Sequence, residues 1–124
     1  KTVSLEEFVE YSKSMFAYWT EDDFASSFRK MLTIEQFRSE EMQGLYQQYL
    51  SSGPAAYVKD LFESMGIAHA EENAVRFYAT MYFYYSVYDG ADDKEKVKNE
   101  FASAIGIMAQ EWIKQPKLTQ IRKS

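Results

Sequence analysis

Five pairs of adjacent acidic residues are the first feature of this sequence that could do chemistry, since neighbouring carboxylates can serve as a general acid and a general base. The pairs are Glu6-Glu7, Asp22-Asp23, Glu40-Glu41, Glu71-Glu72 and Asp92-Asp93. Each pair falls in the first turn of a predicted helix, where acidic side chains stabilise the positive end of the helix dipole and satisfy free N–H groups. We therefore interpret all five pairs as helix-capping residues and assign them no catalytic role.

Histidine and cysteine chemistry is restricted, because His69 is the only histidine and the chain has no cysteine. These counts exclude disulfides, thiolate and two-histidine metal sites and a cysteine nucleophile. The five glycines are at least nine residues apart, which excludes a Gly-x-Ser-x-Gly elbow and a phosphate-binding loop. We expect no catalytic residue, metal or cofactor. We interpret His69 as an exposed or capping loop residue or as a polar contact at the mouth of a pocket.

Length and charge restrict the partners. The 124 residues have a net charge of −5, which predicts one globular domain over residues 1–124 and disfavours direct contact with nucleic acid. The longest apolar run, from Phe77 to Tyr88, is too short and too rich in tyrosine to span a membrane. Because the chain starts at Lys1 and no signal peptide follows, we expect a cytoplasmic fragment of a longer protein.

Long helices are predicted, because glycine and proline together supply only seven residues. The apolar spacing and the capping residues predict an all-α fold of about six helices packed as an orthogonal or antiparallel bundle. The predicted helices are about Ser4 to Trp19, a short one after Thr20 that carries Phe24 to Leu32, Glu40 to Ser51, Pro54 to Met65, Glu71 to Tyr88, and Asp92 to Ile113. A basic tail over residues 114–124 is expected to fray.

Three helix ends carry residues with a predicted role. Arg29 and Lys30 lie near the end of the second predicted helix, where cations stabilise the negative end of the dipole. Gly66 is expected to stop the fourth helix, and Gly90 is expected to cap the fifth.

The surplus of aromatic residues and methionine is the most informative feature of the composition. The chain has 10 Tyr, 9 Phe, 2 Trp and 6 Met residues, and most of them are expected to fill a core. Tyr78, Tyr82 and Tyr85 lie on the inward stripe of the fifth helix, so each hydroxyl needs a polar partner or a route to the surface. A ligand cavity lined by aromatic rings and methionine is one arrangement that would satisfy these hydroxyls.

The fifth and sixth predicted helices each carry two apolar stripes, and a single core cannot easily cover both. In a chain of this length, a helix that is apolar on two sides is typical of an interface with a second copy. We therefore expect a homodimer, with these candidate interface residues on the second stripes: Val75, Ala79, Phe83, Val87, Ala102, Gly106, Ala109 and Ile113.

The order of motifs resembles one known family. Phe-Arg-Lys-Met-Leu-Thr-Ile-Glu-Gln-Phe-Arg at 28–38, Ser-Glu-Glu-Met-Gln-Gly-Leu-Tyr at 39–46, Gly53-Pro54 and Tyr-Val-Lys-Asp-Leu-Phe at 57–62 are similar to the C-terminal regulatory domain of TetR-type transcriptional repressors. A tyrosine-rich helix and a last helix closing near Trp112 follow in the same order. The family's N-terminal helix-turn-helix domain has no counterpart in this sequence.

The resemblance implies a domain that dimerises through a four-helix bundle built from the last two helices of each subunit. It also implies a cavity for a small-molecule effector among the earlier helices and the fifth, whose occupancy alters the spacing of DNA-binding domains not present in this chain. Together with the helical spacing, it gives these candidate ligand-binding residues: Met15, Trp19, Phe28, Met31, Phe62, His69, Tyr78, Tyr82 and Tyr85.

Two other hypotheses stay open. A helical homodimeric protein-interaction module would use the same double stripes with a solid core and no small-molecule ligand. A cofactor-free enzyme would have to use His69 with a nearby carboxylate.

Overall fold

Six α-helices form the part of the chain that the structure, a computed structural model, describes, namely residues 3–114, and no β-strand occurs within that range. This confirms the predicted all-α fold. The helices are α1 (Leu5–Glu21), α2 (Asp23–Glu35), α3 (Glu40–Leu50), α4 (Ser52–Ser64), α5 (Ala70–Gly90) and α6 (Lys94–Lys114). Apart from Lys114, the predicted tail over 114–124 lies outside the described residues. No described helix combines the length and the apolar character that crossing a membrane requires.

Four helices begin at a side chain that caps free backbone N–H groups. Ser4 and Glu7 form a reciprocal capping box at the start of α1. Asp22, Ser39 and Asp93 each accept a hydrogen bond from the N–H group three residues later, at the starts of α2, α3 and α6. All five acidic pairs therefore lie at helix N-termini, as the sequence predicts.

Two helix ends differ from the predicted ones. Helix α1 continues through Thr20, because the Thr20 hydroxyl is buried and donates to the Phe16 carbonyl inside the same helix. Gly90 is the last residue of α5, and the cap is Ala91 in extended conformation. The prediction for Gly66 is confirmed: at φ 75° it has the left-handed conformation that ends α4 at low steric cost.

The junction between α3 and α4 is tighter than the sequence predicts. Helix α4 begins at Ser52, so Gly53 and Pro54 both lie in its first turn. A Cβ atom at position 53 would overlap the backbone carbonyl of Gln48. Glycine is therefore required for the two helices to meet with only Ser51 between them.

The main core lies between α1, α4, α5 and α6. Each of these helices contributes one ring, Phe8, Phe62, Phe77 and Trp112 respectively, and all six pairs of rings are in contact with centroids 4.7–6.3 Å apart. The rings meet edge-on or tilted, which is the arrangement that their quadrupoles favour. This four-ring cluster fixes one end of α1 against the other three helices.

A second ring contact holds the other end of α1. Phe16 stacks between Phe101 of α6, at 4.3 Å between centroids, and Tyr85 of α5, at 5.7 Å. Phe8 and Phe16 are both fully buried and lie two turns apart on one face of α1. Ser12 is the residue midway between them.

Arg29 links three helices and does not stabilise the C-terminal end of α2. Its side chain is only 6% exposed and lies in the middle of the helix, so the predicted role as a dipole-stabilising cation is wrong. Both terminal guanidinium nitrogens donate to the Asp89 carboxylate of α5, at 3.0 and 2.9 Å. Its Nε donates to the carbonyl of Trp19 in the last turn of α1, at 3.0 Å.

We predict that Asp89→Asn lowers the free energy of unfolding by about 2–3 kcal/mol, because it leaves a buried guanidinium without its counter-charge. Lys30 provides the matched control, since its Nζ lies 4.0 Å from the same carboxylate but its side chain is 54% exposed. Lys30→Met should change the free energy by less than about 1 kcal/mol. Urea unfolding followed by circular dichroism measures both, and equal effects would contradict the prediction.

Candidate functional site

A cavity of about 240 Å³ lies between α1, α5 and the junction of α3 with α4. Helix α1 contributes five side chains at successive turns: Phe8, Tyr11, Ser12, Met15 and Trp19. This spacing of three and four places all five on one face of the helix.

The opposite wall comes from α5, and the third wall comes from α3 and α4. The α5 wall consists of Phe77, Tyr78, Met81 and Tyr85, again at helical spacing. The third wall consists of Gln48, Tyr49, Gly53, Pro54, Tyr57 and Val58. Because Gly53 brings α4 close to α3, the two helix ends form one continuous wall.

Ser12 explains why space remains between α1 and α5. The rings of Phe8 and Phe77 are 5.0 Å apart on one side of it, and the rings of Phe16 and Tyr85 are 5.7 Å apart on the other. These contacts hold the two helices at a distance set by aromatic rings. The small Ser12 side chain does not fill the space between them, and large core side chains on both sides prevent its collapse.

The polar groups in the interior of the cavity already have partners. The Ser12 hydroxyl donates to the Phe8 carbonyl at 2.8 Å, and the Tyr78 hydroxyl donates to the Leu50 carbonyl at 2.6 Å. Leu50 ends α3, so Tyr78 satisfies one of the carbonyls that a helix C-terminus leaves free. In the part of the chain that the structure describes, no Asp, Glu, Lys, Arg or His lines the cavity.

Exposed side chains form the mouth of the cavity. Tyr11, Tyr49, Tyr57 and Gln48 line it and are all exposed, whereas the α5 side chains that line it are buried. Burial, and then the neighbouring Tyr57 hydroxyl, raise the pKa of Tyr11 above the usual tyrosine value. The two phenols therefore lie close together at the mouth.

Buried phenols on α5 and α3 stay protonated to unusually high pH. Burial raises the pKa of Tyr78 and of Tyr85 well above the usual tyrosine value, and the nearby Arg29 charge offsets only part of this rise for Tyr85. Burial, followed by a hydrogen bond with the Tyr82 hydroxyl, raises the pKa of Tyr46 to about 12. The buried phenols of Tyr78 and Tyr85, which line the cavity, are therefore neutral at physiological pH.

Four of the residues predicted to bind a ligand line this cavity: Met15, Trp19, Tyr78 and Tyr85. They lie on the inward stripes of α1 and α5, which the helical spacing identifies.

The other five candidates lie elsewhere. Phe62 belongs to the four-ring cluster and has no exposed surface. Phe28 packs on the small core of α2 and α3, behind Tyr49. Met31 is exposed on α2, and Tyr82 is turned toward a groove that it shares with Tyr46 outside the cavity. Their positions on apolar stripes predict burial or contact but not which side of a packed helix faces the cavity.

His69 also lies apart from the cavity. It is exposed, has a left-handed backbone with φ 53° and precedes α5 without a side-chain cap. The interpretation of His69 as an exposed loop residue is therefore confirmed, although its side chain does not cap α5, and the alternative contact with the mouth of the pocket does not occur in this cavity. Within residues 3–114, no group of three or more His, Asp or Glu side chains is placed to hold a metal ion.

Several lining residues were not among the candidates. Phe8 and Ser12 lie on the same face of α1 as the candidates Met15 and Trp19, and Tyr11 lies four residues before Met15 on that face, so helical spacing from the candidates could have identified all three. Tyr49 and Tyr57 lie on opposite sides of the α3–α4 junction, and only the tertiary structure brings them together.

The second stripes of α5 and α6 form a largely open apolar face. Val75 and Phe83 of α5 are 53% and 60% exposed, and Ile113 of α6 is 58% exposed. Ala79 is exposed, and three more of the predicted residues are partly exposed: Val87, Ala102 and Gly106. Ala109 is the exception, because it is buried in the main core of its own chain and cannot reach a partner. The sequence did not identify Ile107, which is 61% exposed.

We predict that the free energy of unfolding decreases as the pH rises from about 10 to 12, and that it does not change for this reason below pH 10. In that interval the unfolded chain loses phenolic protons that the folded chain retains at Tyr46, Tyr78 and Tyr85. Urea unfolding at each pH measures the slope.

The variant Tyr78→Phe should show a shallower alkaline decrease. At neutral pH it should lose about 1–2 kcal/mol, because the Leu50 carbonyl loses its donor. A wild-type free energy that stays constant up to pH 12 would contradict the raised pKa values.

Comparisons with known proteins do not identify the chain. No protein-family model matches it, no curated protein matches it and no solved structure matches it. Function must therefore be inferred from the cavity and from the apolar face of α5 and α6.

Proposed function

We propose that this chain is the effector-sensing and dimerisation domain of a TetR-type transcriptional regulator. It binds a small apolar or aromatic molecule, and binding alters the spacing of DNA-binding domains that are not present in this chain. The observation that carries the proposal is the cavity between α1, α5 and the α3–α4 junction. Its location agrees with what the resemblance in the order of motifs implies, namely a cavity among the earlier helices and the fifth.

The chemistry of the cavity supports a binding role over a catalytic one. Its walls are aromatic, aliphatic and thioether side chains with few polar groups, which is the composition typical of small-molecule sites. The hydroxyls of Ser12 and Tyr78 donate to backbone carbonyls and are not placed as nucleophiles. Such walls can bind a molecule and supply no group that would transform it.

Two residues that line the cavity also contact the buried ion pair of Arg29 and Asp89. Ligand binding in the cavity therefore acts on the rest of the fold through this pair. The Trp19 carbonyl accepts from Arg29, and the Arg29 guanidinium lies 4.9 Å from the centre of the Tyr85 ring. Arg29 holds Asp89 near the C-terminus of α5. A ligand that separates Trp19 from Tyr85 changes the position of α1 and α2 relative to the end of α5. It acts as an effector only if it favours one arrangement over the other.

The open apolar face supports dimerisation. Val75, Phe83 and Ile113 present large side chains to solvent on the two longest helices, and Gly106 lies two turns before Ile113 on the same face of α6. Covering this face with the same face of a second copy would bury the apolar side chains in an isologous, two-fold interface. The homodimer would then pair α5 and α6 of both subunits in a four-helix bundle.

A protein-interaction module without a small-molecule ligand is the second candidate. The observation that favours it is the outer face of α2 and the turn after it, where Phe24, Ile34 and Phe37 are highly exposed. Exposed aromatic residues at such density are typical of contact surfaces. This candidate predicts a dimer whose stability no small molecule changes.

A thermal-shift screen of the 124-residue chain against uncharged amphipathic small molecules tests the sensing proposal. A ligand present at about 100 times its dissociation constant should add about 2.7 kcal/mol to the free energy of unfolding and raise the melting temperature by several degrees. If no molecule in a broad screen stabilises the chain and it is a dimer, the interaction module is the better hypothesis.

We predict that Gly106→Glu converts the dimer into a folded monomer. A Cβ atom added at this position would have no packed neighbour within 4 Å outside the adjoining backbone of its own helix, so the substitution should not disturb the monomer. At an interface, however, the buried carboxylate would have no partner. Sedimentation velocity measures the oligomeric state.

Gly44→Glu is the matched control, because Gly44 is also helical with no atom within 4 Å of an added Cβ, and it lies on α3 away from the open face. This variant should remain a dimer. A dimer in both variants would contradict the assignment of the interface to α5 and α6, and a monomeric wild type would contradict dimerisation itself.

A further inference from the structure

We infer that the cavity selects an uncharged, flat molecule of two fused rings that carries one polar group directed to the mouth. This inference rests on the proposed ligand-sensing function and specifies the chemical class of the ligand. Four properties of the cavity lead to it: volume, lack of charge, ring-lined walls and the distribution of free polar groups.

Volume sets the size of the ligand. A dry protein cavity of about 150 Å³ takes one benzene ring. At about 240 Å³, this cavity has space for a second fused ring, whereas a drug-sized molecule, which needs roughly 300 Å³ or more, would extend out through the mouth. Two larger grooves share only Tyr78 and Tyr85 respectively with this cavity, and their other α5 residues include Ala79, Tyr82 and Ser86 on the outer side of the helix.

The lining residues exclude a charged ligand, because they offer it no counter-charge. Within residues 3–114, no Asp, Glu, Lys, Arg or His side chain lines the cavity. Arg29 is the nearest buried charge, but its guanidinium does not line the cavity, and both of its terminal nitrogens donate to Asp89. A carboxylate or an ammonium group in the cavity would lose its hydration and gain no counter-charge.

The walls favour a flat aromatic ligand over a bulky aliphatic one. Trp19 and Tyr85 bring ring surfaces to one end of the cavity, and Phe8 and Phe77 bring them to the other. Met15 of α1 and Met81 of α5 lie between these rings on facing walls, where a thioether packs well against an aromatic edge. A planar ligand can therefore contact rings and sulfur atoms at the same time.

The free polar groups lie at the mouth and not in the interior. The protons of Ser12 and Tyr78 are already donated to the carbonyls of Phe8 and Leu50. By contrast, Gln48, Tyr11 and Tyr57 are exposed where the cavity opens. A hydroxyl or amide on the ligand can find a partner, or remain hydrated, only when the ligand points this group outward.

The test compares three probes with the full 124-residue chain by isothermal titration calorimetry at neutral pH. We expect 2-naphthol to bind at least about tenfold more tightly than 2-naphthoate, because even at the mouth the carboxylate would lose part of its hydration against Tyr11, Tyr49 and Tyr57 and would find no counter-charge among the lining residues. It should also bind at least about tenfold more tightly than phenol, which leaves half of the apolar volume empty.

Ser12→Leu locates the site, because leucine at position 12 would occupy the space between the two ring contacts. We expect this variant to lose 2-naphthol binding by at least about tenfold, with a free energy of unfolding equal to or above that of wild type, as a filled cavity gains contacts. Ser14→Leu is the matched control, because Ser14 is exposed on the same helix and does not line the cavity. It should bind 2-naphthol like wild type.

A second measurement does not depend on a variant. Of the two tryptophans, only Trp19 lines the cavity, whereas Trp112 belongs to the four-ring cluster. Binding of 2-naphthol should therefore quench part of the tryptophan emission, and 2-naphthoate at the same concentration should not.

Each remaining outcome overturns the inference. Equal affinity for 2-naphthol and 2-naphthoate would contradict the exclusion of charge, and binding that survives Ser12→Leu would place the probe elsewhere. If none of the three probes binds but another molecule stabilises the chain in the thermal-shift screen, the proposed function stands and the ligand class is wrong. If no molecule binds in either experiment, both fail.

Discussion

The buried guanidinium of Arg29 is the constraint on which the arrangement of the first, second and fifth helices depends. It is the only buried charged side chain within residues 3–114, and a charge without partners in that position would be strongly destabilising. Asp89 supplies the counter-charge from the last turn of α5, where a carboxylate on its own would be disfavoured by the helix dipole. The Trp19 carbonyl, which α1 leaves free at its C-terminus, takes the remaining Nε–H. Each of these three groups is unfavourable alone, and they satisfy one another only when α1, α2 and α5 are in their observed positions.

The cavity follows from the same arrangement. The ion pair fixes α1 and α5 near Trp19 and Tyr85, while the four-ring cluster fixes them near Phe8 and Phe77. Between these two fixed points, Ser12 faces the wall of α5 with a side chain too small to reach across. Cores normally fill such a space, because each missing contact costs dispersion energy. Ring contacts bound this pocket at both ends, and one small residue leaves it unfilled. These features are consistent with a site that a ligand fills.

The sequence predicts the local features well and the long-range ones poorly. Apolar spacing and capping residues locate all six helices, because both signals act within one or two turns. Met15 and Trp19 are identified as lining residues by the same periodicity. Arg29 is misinterpreted because its partner, Asp89, is 60 positions away and nothing near position 29 reports it. Phe62 and Phe28 show a related limit, since an apolar stripe predicts that a residue is covered but not whether a neighbour or a cavity covers it.

Helix α5 connects the two proposed activities, because it carries the cavity wall on one side and the open apolar face on the other. Met81 and Tyr85 face the cavity, whereas Val75 and Phe83 face solvent. Helix α6 contacts α1 through the stacked rings of Phe16 and Phe101, and it contacts α5 through Tyr84 and Phe101. In the proposed sensor, a ligand that pushes α5 away from α1 would therefore also act on the contact between α5 and α6, and the shape of a face built from both helices would change. The coupling between ligand and dimer can be no larger than the difference in the ligand's affinity for the two arrangements. A flat ligand bound between Trp19 and Tyr85 would obtain this difference in affinity from the contact at which Arg29 links α1 to α5.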